Sequence, residues 1–167
     1  MKGPVLQLVV LLATLAAASP GSARPDAFSG NVCGLLTAKQ VTAIGGVTAS
    51  CKNGAPLPGP GSKQYTGNWA GATPKSPQLQ VTVAAFTSTD FLKRAVQNLR
   101  QGLPGGTPKK VTGIGDGAYE AKGPLGPGIH VALGKYVAYL SLTAVGGPPP
   151  TLSQLEPIAK DVAAKLS

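Results

Sequence analysis

The sequence predicts an α+β domain: a curved antiparallel sheet with helices packed on one face, following a short N-terminal helix. Three observations carry this. Leu79, Val81, Val83 and Ala85 alternate with Gln80, Thr82 and Phe86, the period of a half-buried strand. The stretches 87–101 and 152–166 instead place apolar residues at helical spacing. Both halves also run strand, strand, strand, helix, which reads as a weak internal duplication.

The N-terminus reads as a secretory leader. Lys2 gives it a positive start, Val5 to Leu15 an apolar core, and Ala16-x-Ala18 or Gly21-x-Ala23 a cleavage site after Ala18 or Ala23. The apolar run is too short to span a bilayer and is soon broken by Pro20 and Gly21. The expected organisation is therefore a leader over 1–23, a short tether over 24–30 and one domain over 31–167. Cleavage after Ala23 removes 23 of the 167 residues and leaves 144, enough for a domain with its own core. The mature form is expected to lack a transmembrane segment and to work outside the cytoplasm, secreted or periplasmic at the cell envelope. There Cys33 and Cys51, the only two cysteines, can pair. No Cys-x-x-Cys spacing suggests redox work, so the bond is expected to be structural.

The first helix, Leu35 to Ile44, has its start written out. Thr37 and Gln40 form a capping box, Leu36 and Val41 are placed for a hydrophobic staple, and Gly45-Gly46 ends the run. Val47 to Cys51 follows as a strand. Residues 53–62 (NGAPLPGPGS) read as a Pro/Gly loop. Tyr65 to Ala70 and Gln78 to Phe86 are strands around a turn at Thr73–Pro77. Thr87 to Gln101 is a helix capped by Thr87 or Ser88, with Leu92, Ala95, Val96 and Leu99 as its apolar stripe and Gly102 as its stop.

In the second half, Gly117 to Lys122, Gly128 to Leu133 and Tyr136 to Val145 are strands. Gly134-Lys135 suits a two-residue hairpin that pairs Leu133 with Tyr136 and His130 with Tyr139. The last helix reaches Leu166, with its regular part expected from about Gln154 and Pro157 in its first turn.

Gly113-Ile-Gly-Asp-Gly-Ala118 fits the permissive form of a dinucleotide fingerprint, but that motif needs a following helix to receive a pyrophosphate. Here a strand follows, so the glycines are read as turn residues. Cys33-Gly-Leu-Leu-Thr37 leading into a short helix, a second cysteine after the next strand, and Val111-Thr-Gly-Ile-Gly-Asp116-Gly-Ala118 together resemble a family of actinobacterial secreted and lipoprotein cell-envelope domains of unknown function. The resemblance covers most of the mature chain and implies an α+β fold at the envelope. It supplies no catalytic residues, and this chain lacks the lipid-attachment cysteine of many members.

A single histidine, His130, excludes a multi-histidine metal site, and no nucleophile elbow or Walker loop is present. No cofactor, metal or catalytic residue is expected, and the chain is read as non-enzymatic. The formal net charge is +9, and removing Lys2 with the leader leaves +8. From Lys39 to Lys110, nine basic residues face the single acid Asp90. Such an imbalance points to an anionic envelope component or an acidic protein. Nucleic acid is not expected, because few aromatics are available to stack bases and no reading motif occurs.

Two sites follow as candidates. Lys93, Arg94 and Arg100 on the second helix, with Lys109 and Lys110, would form an anion-facing surface. On the sheet face opposite the helices, His130, Val137 and Tyr139, with Thr82 and Phe86, would line a cleft. The leading function is a secreted envelope domain that binds a partner or anionic ligand. The alternative is a carrier or sensor of a small apolar ligand held on the free sheet face.

Overall fold

Residues 28–101, 108–123 and 125–167 are described by a computed structural model. The expected leader, its cleavage positions, the first part of the tether, the Gly102 helix stop and Pro124 lie outside these residues.

An α+β fold results, built on an open antiparallel sheet. A 3₁₀ turn at Val32–Leu35 and helix α1 (Ala38–Thr42) lead into β1 (Val47–Asn53), β2 (Leu57–Gly59), β3 (Ser62–Gly71) and β4 (Gln78–Phe86). Helix α2 (Thr89–Gln101) then precedes β5 (Lys110–Val111), β6 (Gly117–Gly123), β7 (Gly126–Leu133), β8 (Tyr136–Thr143) and helix α3 (Leu152–Leu166). The eight strands run in the order β1-β3-β4-β8-β7-β6-β5, with β2 paired to β3 beside that path. Among the described residues, no helix is long and apolar enough to cross a membrane.

Local chemistry sets most element boundaries. The Thr37 backbone N–H donates to Gln40 Oε1 at 2.7 Å, and the Gln40 N–H donates to Thr37 Oγ1 at 3.3 Å, closing the expected capping box. Ser88, one of the two expected caps, accepts from the Asp90 N–H at 3.2 Å at the start of α2. At the β7–β8 hairpin Gly134 takes φ 52° while among the described residues no non-glycine residue has positive φ, as a Gly-first two-residue turn requires. That turn fixes the register: Leu133 pairs with Tyr136 and His130 with Tyr139.

The register commits one sheet face to the core. Leu79, Val81 and Val83 of β4, Ile129 and Val131 of β7, and Leu140 and Leu142 of β8 are all essentially inaccessible. Leu155, Ile158, Ala159 and Val162 of α3 close over them, and Val32 and Val41 seal the β3 end. The Cys33–Cys51 disulfide, with a Cα–Cα distance of 5.7 Å, ties the 3₁₀ turn to β1. Phe28 packs edge-on against Tyr65 and Tyr136, 5.4 and 5.8 Å between ring centres. The described end of the tether therefore lies against the core side of the sheet.

Four expectations need correction. The first helix is shorter than Leu35–Ile44, because residues 32–35 form a separate 3₁₀ turn before the Thr37 cap. The Pro/Gly loop contains β2, an edge strand where Pro58 can sit because its missing N–H faces no partner strand. Helix α3 begins at Leu152, not near Gln154, and Pro157 lies inside it. Pro157 and Ser153 are both exposed, so the carbonyl that loses its helical partner can be solvated.

The fourth concerns helix packing. Helix α2 contributes nothing to the buried cluster and approaches β4 and β8 from the other side. Its Arg100 bonds Tyr119, which points away from the fully buried Ala118 next to it. The helices are thus not all on one face: α3 covers the core side and α2 the opposite side.

Candidate functional site

Pairing carries one row of side chains across the face that α2 overlies. Tyr119 pairs with His130, His130 with Tyr139, Tyr139 with Thr82, and Thr82 with Thr66. Partners in an antiparallel ladder share a face, so these five residues from β6, β7, β8, β4 and β3 line up side by side. The His130 and Tyr139 rings stack with centroids 4.5 Å apart, and the Thr66 and Thr82 hydroxyls hydrogen-bond at 3.1 Å. Gly128 has no Cβ because Tyr139 lies over it; an added Cβ would sit 2.8 Å from Tyr139 Cε2. Burial pushes the His130 imidazole below the ordinary histidine value, favouring its neutral form.

Helix α2 crosses the Tyr119 end of this row and leaves a groove of about 570 Å³ between itself and the ends of β6 and β7. Its floor is apolar, with Leu92 and Val96 from the helix facing Ala132 from β7. Lys93 and Arg100 come from α2, and Tyr119 rises from β6. Arg100 Nε donates to the Tyr119 hydroxyl oxygen at 3.2 Å, joining helix and sheet across the groove.

Among the described residues Asp116 is the one acid along the groove, and its carboxylate is engaged: Oδ2 accepts the Gly134 N–H at 2.7 Å. The Asp116 N–H in turn donates to the Ala132 carbonyl at 2.9 Å. Asp116 thus clips the 113–117 turn onto the β7–β8 hairpin. Gly115, at φ 53°, passes so close to β7 that a Cβ would lie 2.7 Å from the Ala132 carbonyl oxygen. This is the turn role expected for those glycines.

The predicted sites are regrouped by this geometry. Of the basic set, Lys93 and Arg100 line the groove, and Lys110 pairs with Tyr119 and so shares its face. Arg94 and Lys109 are exposed but do not line it. Of the cleft set, His130, Val137, Tyr139, Thr82 and Phe86 all lie on the expected face, in the expected alternation. The groove opens beside them, at Tyr119 and Ala132. Phe86 is set apart, four residues along β4 from Thr82 and paired with Ser62.

No protein-family model, curated protein or solved structure matches the chain. The chemistry of the site therefore rests on its own residues. Tyr119 and Asp116 are among the groove residues that the sequence pattern did not single out for binding. The alternation Ala118-Tyr119-Glu120 does place Tyr119 opposite the small core residue Ala118, and that signal was available. Among the described residues, no cluster of three or more His, Cys, Asp or Glu could hold a metal ion.

Proposed function

We propose that this chain is a secreted, non-enzymatic cell-envelope domain that binds an anionic ligand or partner through the α2 side of its sheet. The observation that carries the reading is the Arg100–Tyr119 bond across a groove that also holds Lys93. Two cations converge on this space, and the one carboxylate among its described residues is already held by Gly134. An opposite charge placed there gains from both cations while displacing little. The Cys33–Cys51 disulfide is compatible with an oxidising compartment, where such bonds persist.

The apolar groove floor favours a second reading, a carrier or sensor of a small apolar ligand, now seated beside α2. On either reading the fold is a curved sheet with a weak duplication of its strands, β1-β3-β4 and β6-β7-β8, meeting at the β4–β8 pairing, while α2 and α3 lie on opposite faces and do not follow it. The order β1-β3-β4 on one side of that pairing is mirrored by β6-β7-β8 on the other, with β5 unmatched, and supports this.

Retention on anionic vesicles and on anionic wall polymer tests the leading function. Wild type should bind at low salt and release as ionic strength rises. A Lys93→Gln, Arg100→Gln, Lys110→Gln variant should bind more weakly while folding normally. Equal retention of both proteins on both materials would contradict it.

A further inference from the structure

We infer that the groove between α2 and the ends of β6 and β7 is a site for a small amphiphile with one anionic head on an alkyl chain. This rests on the anion-binding reading above and narrows it to a ligand class. At about 570 Å³ the groove is within the usual range of small-molecule sites.

Its two surfaces ask for different chemistry in one molecule. Leu92, Val96 and Ala132 offer aliphatic contact to a tail, which a sugar or a bare inorganic anion would not use. The head end is set by Arg100 and Tyr119. With Nε donating to Tyr119, the guanidinium is drawn to the sheet side of the groove, and among the described residues its terminal amino groups have no partner. Those groups form the planar fork that matches a carboxylate or phosphate. The Tyr119 oxygen accepts from Arg100, which leaves its own proton to donate to the same head. Lys93 adds a second positive charge. A cationic amphiphile finds two like charges and only the engaged Asp116, so it is disfavoured.

Calorimetric titration of the whole protein tests this, with decanoate kept below its micellar concentration. Decanol supplies the tail alone, acetate the head alone, and decyl phosphate the alternative head. Decanoate or decyl phosphate should bind at least about tenfold more tightly than decanol or acetate. Whichever head is preferred identifies the source chemistry, a fatty acid or a phosphate-headed lipid. Arg100→Gln should weaken decanoate about tenfold or more and leave decanol unchanged. Tyr119→Phe, which keeps the ring, should weaken decanoate by less.

Equal affinity for decanoate and decanol, or undiminished decanoate binding by Arg100→Gln, would overturn the proposal. If no amphiphile binds while anionic vesicles still retain the protein, this site assignment fails and the broader anion-binding function stands. Failure of both would remove both.

Discussion

Arg100 Nε donates to the Tyr119 hydroxyl at 3.2 Å, and this contact joins the last turn of α2 to a sheet face that the helix otherwise covers only loosely. No residue of α2 is buried. The helix is therefore held by a half-buried apolar stripe, by the Thr87 anchor on Gly61 at its N-terminal end and by this bond at the other. Losing an exposed hydrogen bond costs little in stability, about 0.5–1 kcal/mol. Tyr119→Phe should melt within a few degrees of wild type yet show faster amide exchange in the last turn of α2. Unchanged exchange there would show that the bond does not hold the helix end.

The Cys33–Cys51 bond closes a loop over a sequence separation of 18 between the 3₁₀ turn and β1. Cross-linking a loop of this size limits the unfolded chain and stabilises the fold by about 3 kcal/mol. Cys33→Ala with Cys51→Ala should lower unfolding stability by about 2–5 kcal/mol. Denaturant titration measures this, and ligand binding below the melting temperature should persist, because the bond lies on the core side of the sheet.

His130 gives stability a pH dependence of known sign. Burial holds its folded pKa below the ordinary value of 6.5, so on acidification the unfolded chain takes up the proton first. Its contribution is fully present above that ordinary value. It is lost as pH falls from there through the folded value, and it levels off below. His130→Gln should flatten the stability profile across this window when both proteins are unfolded in urea from pH 7.5 down to 4.5. Parallel profiles would contradict the burial of the ring.

The glycines at the 113–117 turn separate two physical costs. Gly113 has φ 74° with open space around it, so Gly113→Ala should cost only backbone strain, about 1 kcal/mol. Gly115 has φ 53° and is also pressed against the Ala132 carbonyl and Val131. Gly115→Ala should therefore cost clearly more than Gly113→Ala, because the turn must also lift from β7. Thermal melts of the two variants give the comparison.

Elements set by short-range chemistry were legible in the sequence. The Thr37–Gln40 box, the Gly134 hairpin and the alternation through β4, β7 and β8 all depend on neighbours in the chain, and together they fixed which residues share a face. Legibility ended where tertiary position decided. The stripe Leu92, Ala95, Val96 and Leu99 says that α2 buries one side but not which sheet face receives it. The assignment to the α3 face failed for that reason, so the expected cleft at His130 and Tyr139 did not include the groove beside Tyr119. β2 was hidden because prolines mask an edge strand. Lys93 and Arg100 were visible as charge, while their convergence on Tyr119 required the sheet to be assembled.

The most direct test of the central claim is a nuclear magnetic resonance titration of the isotopically labelled protein with decanoate at low salt, following the Arg100 Nε–H and the backbone amides. Saturable shifts are expected, concentrated at Arg100, at Leu92 to Gln97 on α2 and at Gly117 to Tyr119 on β6, with little change in α1, β1 or α3. Saturable shifts centred on the β1 edge or on the α3 side, with Arg100 unmoved, would contradict it.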